Sequence, residues 1–136
     1  MARSLQTAGV ILITVPAIEF GGLSLLKFLA GRTPGYMDNP LRRGLFRAGH
    51  AHAGVLVLLA LVGLMYLDQA SLGDGAKSLV RLCLVAPPIL MPAGFFMSIA
   101  SPRAERPNKL IGLVYVGALT LAIAAVTLGV GLLQAA

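Results

Sequence analysis

Few acidic or histidine side chains occur in this sequence, and three of them fall inside apolar runs: Glu19 in VPAIEFGGL, and His50 and His52 in FRAGHAHAGV. A charged group within a membrane span costs about 2.5–3.5 kcal/mol on insertion scales unless it is neutralised, paired or turned toward a cavity, so each such residue is a functional candidate by default. Imidazole titrates near neutrality and is the commonest metal ligand. Glutamate and histidine together therefore support two chemistries, ligation of a transition metal or haem, and passage of a proton between carboxyl and imidazole. A third reading needs no chemistry. A Glu–His hydrogen bond would clasp two helices, with a value of only about 1–2 kcal/mol.

The spacing assigns geometry to these residues. On a helix, positions i and i+2 are separated by about 200°, so His50 and His52 face nearly opposite ways and cannot chelate one small ion together. If the first apolar helix ends near Phe28, Glu19 lies about nine residues, or ~13 Å, from that end; a second helix re-entering near Phe46 puts His50 at roughly 6 Å and His52 at roughly 9 Å. Glu19 and His52 are expected at similar depth on adjacent antiparallel helices, as an acid–base pair. A metal site without haem would use Glu19 and one of the two histidines, His50 or His52, with Met91 or Met97 from the third span. Histidine and carboxylate suit zinc or non-haem iron, and methionine favours copper(I). Two or three ligands fall short of a closed tetrahedral set, so another subunit or an open position is expected to complete it.

GHAHAG, residues 49–54, resembles the His-x-His of a core helix in the haem–copper oxidase and nitric oxide reductase superfamily. The likeness is confined to that short stretch, and no membership follows from it. It implies that His50 and His52 each serve as an axial haem ligand from opposite faces of one helix. The opposite ligand would be Met91, Met97, Tyr115 or a residue of another copy, and Tyr115 is included among the cofactor-binding candidates on that ground. Because the ligand set is incomplete and four spans are few for a transport path, a homo-oligomer or a place within a larger membrane complex is expected.

The elements that must position these residues are plain from composition. Of 136 residues, 57% are hydrophobic and 12% charged, with mean hydropathy +0.87, far more apolar than a soluble domain. Four segments reach the roughly 20 apolar residues that a span needs, at about 5–29, 46–67, 79–100 and 110–133. The links between them, rich in Gly, Pro, Asp and Asn, are helix-breaking. Short links make successive helices antiparallel neighbours, which predicts an all-α, polytopic, up-down four-helix membrane bundle forming one domain over residues 1–136. The first segment is too long for a signal-peptide core and is expected to be a retained helix.

Arginine and lysine set the orientation. The first link and its flanks carry Lys27, Arg32, Arg42, Arg43 and Arg47, and the third carries Arg103, Arg106 and Lys109, whereas the opposite side has Arg3, Lys77 and Arg81. By the positive-inside rule the first and third links are cytoplasmic and both termini lie outside, across a cell's inner (plasma) membrane. The net charge of +6 is gathered in those links without interleaved aromatics, which disfavours nucleic acid. Anionic lipid head groups are the expected partner, with Arg42, Arg43, Arg47 and Arg103 as the binding set.

A weak internal duplication also shows. Pro16 precedes Gly22 as Pro88 precedes Gly94, and Gly49 precedes Gly54 as Gly112 precedes Gly117. This aligns two helical hairpins in parallel, matching Glu19 with Met91 and His52 with Tyr115. The lone cysteine, Cys83, cannot form an intrachain disulfide and reads as a core residue. No nucleophile elbow, phosphate-cradling loop, Cys-x-x-Cys or zinc-protease helix occurs, which disfavours the enzyme classes built on them.

Overall fold

The computed structural model describes residues 2–136. Its elements are α1 (Ala2–Ala30), α2 (Pro40–Leu67), α3 (Asp74–Val85), α4 (Pro87–Ser98) and α5 (Gly112–Leu133), the last led in by a 3-10 turn, Lys109–Ile111. No strand occurs among the described residues. Four helices, with α3 and α4 counted as one, are long and apolar enough to cross a membrane.

Local chemistry fixes the boundaries. Helix α2 begins six residues before the expected position 46, because Asn39 caps it and Pro40 occupies its first turn. The Asn39 carboxamide oxygen accepts from the Arg42 amide at 2.9 Å, and proline there gives up an N–H that has no intrahelical partner anyway. Residues 41–46 are therefore the opening turns of α2, where the sequence reads equally as a short amphipathic stub lying on the membrane surface. The third span is broken at Ala86, between α3 and α4. Pro87 and Pro88 bring no N–H to the carbonyls four residues back, which interrupts the ladder. Pro16, alone in α1, leaves that helix continuous.

Packing is antiparallel between successive spans, through glycine. Gly49 of α2 lies against Phe95 and Phe96 of α4, and Gly63 against Leu84 of α3. Gly94 of α4 lies against Val114 of α5, and Gly117 of α5 holds Met91 of α4. The core between them is Val57, Ala60, Leu64, Leu67, Val80, Cys83, Leu84, Ala124 and Leu128. Helix α1 joins differently. In its most apolar stretch only 6% of residues are buried within the molecule, against 39% for both α2 and the α3–α4 span, and α2 is the one helix it follows at length. The expected four-helix bundle is thus a three-span core with α1 laid on one flank.

At the arginine-rich end, the link after α1 and the link after α4 are tied together. Arg42 donates from Nε to the Ile99 carbonyl at 3.2 Å and from its terminal nitrogens to Gly35 at 3.1 Å and Ala100 at 3.2 Å. Its guanidinium also lies 4.6 Å from the Phe46 ring centre. Asn39 donates to Pro102 and Ala104 at 3.1 and 2.9 Å, and Tyr36 is 2% exposed between Phe28 and Phe46. Gly35 makes the turn, with φ at +75° and a would-be Cβ 2.7 Å from Pro102 Cβ. Gly35→Ala meets both left-handed strain and a clash, so it is expected to lower stability by about 1–3 kcal/mol. Thermal unfolding in detergent measures that, and Gly44→Ala, whose site is open, is the control.

The other end is pinned by polar side chains. Ser4, 3% exposed, donates to the Asp68 carboxylate at 3.2 Å, the Arg81 guanidinium reaches Ser4 at 3.5 Å, and Lys77 donates to the Asp68 carbonyl at 3.2 Å. Desolvation alone would raise the Asp68 carboxyl, but donors including Ser4 and positive charge including Arg81 outweigh it and hold the group below its ordinary value. A depressed folded-state pKa contributes stability that is complete above the ordinary carboxyl value and is lost as pH falls through the folded one. Acid titration of the melting temperature should show a decline in that window, and Asp68→Asn should flatten it.

Candidate functional site: the two faces of the histidine pair

His50 and His52 are in the fourth turn of α2, and they face different helices. His50 lies against the Gly21–Gly22 backbone of α1: a Cβ built on Gly22 would fall 3.0 Å from His50 Nε2 and 3.1 Å from its Cε1. The His52 ring centre is 4.9 Å from that of Phe95 on α4. The opposed directions expected from the i, i+2 spacing are therefore present, and they put the two rings at different helix interfaces.

His52 has a defined tautomer. Its Nδ1 is 2.7 Å from the Ala48 carbonyl oxygen, which can only accept, so Nδ1 carries the proton and the neutral ring keeps its lone pair on Nε2. His50 makes no hydrogen bond among the described residues, and neither does Glu19. These two line one groove, a volume of about 470 Å³ between α1 and α2 whose other walls include Gly22, Ala51, Gly54, Val55 and Leu58. A second groove of about 320 Å³, walled by Thr14, Gly21, Pro88, Ile89 and Phe96, reaches the other side of His50.

Glu19 thus shares its groove with His50, whereas depth alone paired it with His52. Depth does not decide the partner; the face does, because the glycine pair on α1 admits the imidazole that points at α1, which is His50. Met91 is buried against Gly117 on the far side of α4, and Tyr115 is 73% exposed on α5. Neither is brought to Glu19 or His50. Among the described residues no three His, Cys, Asp or Glu side chains cluster as a metal site would need.

The four arginines do not form one patch. Arg42 spends its donors on backbone carbonyls, as described above. Arg43 and Arg47 flank a depression of about 470 Å³ with Tyr36 and the α1 residues Leu25, Leu26 and Leu29, while Arg103 borders a separate hollow with Asp38 and Glu105. Arg43 also donates to the Met37 carbonyl at 3.1 Å.

The alignment expected from sequence pairs Gly22 with Gly94 and, by the same register, His50 with Leu113. Gly22 meets His50, and Gly94 meets Leu113 and Val114. His50 is therefore a knob in a glycine hole, in the place where the second hairpin uses an aliphatic side chain. Sequence reading missed that role, although Gly21-Gly22 on one span and a lone ring on the next were its visible signs. It also passed over Ser4, whose hydroxyl near a helix start gives no hint of a partner 64 positions away.

Fold and site together define a class, small all-helical proteins with four helices able to cross a membrane and a histidine pair that divides two helix interfaces. Beyond that class no relative is found: the chain matches no protein-family model, no curated protein and no solved structure.

Proposed function

We propose that the chain binds a haem or a transition-metal ion for membrane-associated redox chemistry, with His52 as its ligand and the remaining coordination supplied by another copy or a partner subunit. The observation that carries this is the His52 Nδ1 contact to the Ala48 carbonyl at 2.7 Å. Metal-bound histidines almost always donate their second ring N–H to a carbonyl or carboxylate, which fixes the tautomer and raises the basicity of the ligating nitrogen. His52 has that arrangement within its own helix, and His50 does not. A site with one oriented imidazole and no neighbouring cluster fits haem or a shared ion better than a closed tetrahedral zinc site. Tyr115 occupies the position of His52 in the second hairpin and is exposed, so it is the favoured donor from another copy. When bound, the group would supply one-electron chemistry. The protein contributes the fixed imidazole and the apolar wall around it.

In this reading the protein sits in an inner membrane with its arginine-rich links in the cytoplasm, and Arg43 and Arg47 meet anionic head groups. The test is elemental analysis and the visible absorption spectrum of the detergent-purified oligomer, per mole of chain. Stoichiometric iron or copper supports the proposal, and a metal-free preparation that remains folded and oligomeric overturns it.

The groove shared by Glu19 and His50 supports a second reading, an oligomeric channel or proton-coupled transporter in which the two pass a proton. Its test is pH-dependent flux into liposomes, which Glu19→Gln should abolish.

A further inference from the structure

The two hairpins differ at one place in a way that exposes a site. In the second hairpin Met91 of α4 fills the notch over Gly117 of α5, where an added Cβ would fall 2.5 Å from the methionine Cγ. The same alignment places Glu19 at the Met91 position and Gly54 at the Gly117 position. Here the notch is open. Nothing lies within 4 Å of a Cβ added to Gly54, and the space is the groove of about 470 Å³ that Glu19 and His50 also line.

We infer that this groove binds a neutral, single-tailed lipophile whose head carries a hydroxyl or carbonyl oxygen. The tail takes the notch over Gly54 that a methionine side chain occupies in the other hairpin, against Val15, Ile18, Val55 and Leu58. The head lies between Glu19 and His50, two polar side chains without a hydrogen-bond partner in a stretch of helix where water is scarce and such groups need one. Depth selects the head. Glu19 is 11 residues from the Ala30 end of α1, about 16 Å along the helix, more than the roughly 5–8 Å that each head-group layer adds to the hydrocarbon core. A phosphate head would remain at the membrane surface, whereas a hydroxyl can donate to the Glu19 carboxyl oxygens or the bare imidazole nitrogen and accept from the imidazole N–H, and a carbonyl oxygen can accept from that N–H. The alpha-helical walls are small where the head enters, at Gly22 and Ala51. The site is separate from His52, which lies on the other face of α2.

The test uses the full chain in lipid nanodiscs with a diazirine-bearing hexadecanol, beside a diazirine-bearing phosphatidylcholine, with labelled residues mapped by mass spectrometry. Hexadecanol is expected to label the groove residues above the other lipid-facing positions, and the phospholipid is not. Gly54→Met, for which there is room, should bring groove labelling down to the level of those positions, and Glu19→Leu should weaken it. Gly112→Met, at another open glycine, should leave it unchanged, and Gly54→Met should keep any metal held at His52. Equal labelling by the phospholipid, even labelling along all lipid-facing helices, or groove labelling that survives Gly54→Met would overturn the inference.

Discussion

His52→Ala is expected to abolish metal or haem binding, with affinity lower by about 100-fold or more, the upper end of what even an outer partner of a ligand contributes. His50→Ala should leave the bound metal in place and lower stability by about 1–2 kcal/mol, as for loss of an interhelical packing contact. The contrast follows from geometry. His52 has one nitrogen committed to Ala48 and makes no other hydrogen bond among the described residues, while His50 is lodged against Gly21 and Gly22. Metal content and thermal stability, measured on both variants, separate ligand from knob. Equal loss of metal in both would point to a shared site and sink the assignment of roles, as would loss from His50→Ala alone.

Gly94→Ala should produce the largest change in stability. The added methyl would fall 2.9 Å from the Val114 backbone nitrogen and 3.2 Å from Leu113 Cβ. A backbone atom cannot rotate aside, so α4 and α5 must separate, at a cost of about 2–3 kcal/mol. Gly112→Ala meets nothing within 4 Å and should be neutral or slightly stabilising through helix propensity. Gly22→Ala is expected between them, because its neighbour is the end of the His50 side chain, which can shift. Denaturation in mixed micelles gives the order, and a Gly94→Ala protein as stable as Gly112→Ala would remove glycine packing as the basis of the hairpins.

The spans were legible because a membrane leaves little choice: long apolar runs must be helical to satisfy their backbones. The expected limits of 110–133 coincide closely with α5, whereas α2 started early because Asn39 and Pro40 act as cap and first turn, a pair that also reads as a plain turn. The break at Pro87-Pro88 was visible as residues but not as a consequence, since Pro16 in α1 produces none. The candidate site was legible in its residue types and in the opposed faces of His50 and His52. Which histidine met Glu19 was not, because rotation about the α2 axis depends on where the glycines of α1 fall. The engagement of Arg42 was also hidden, since its three acceptors are carbonyls, present at every position and marked at none.

That α1 follows one neighbour has a consequence for cooperativity. Opening free energies in a protein span a range, and the lowest belong to units with few buried apolar contacts. Helices α2 to α5 share a core, whereas α1 is attached chiefly by His50 in its glycine hole, Ile11 in the core and Ser4 at Asp68. It therefore forms its own unfolding unit. Helix α1 should detach before the rest melts, and hydrogen exchange should report two classes of amide protection within one small chain.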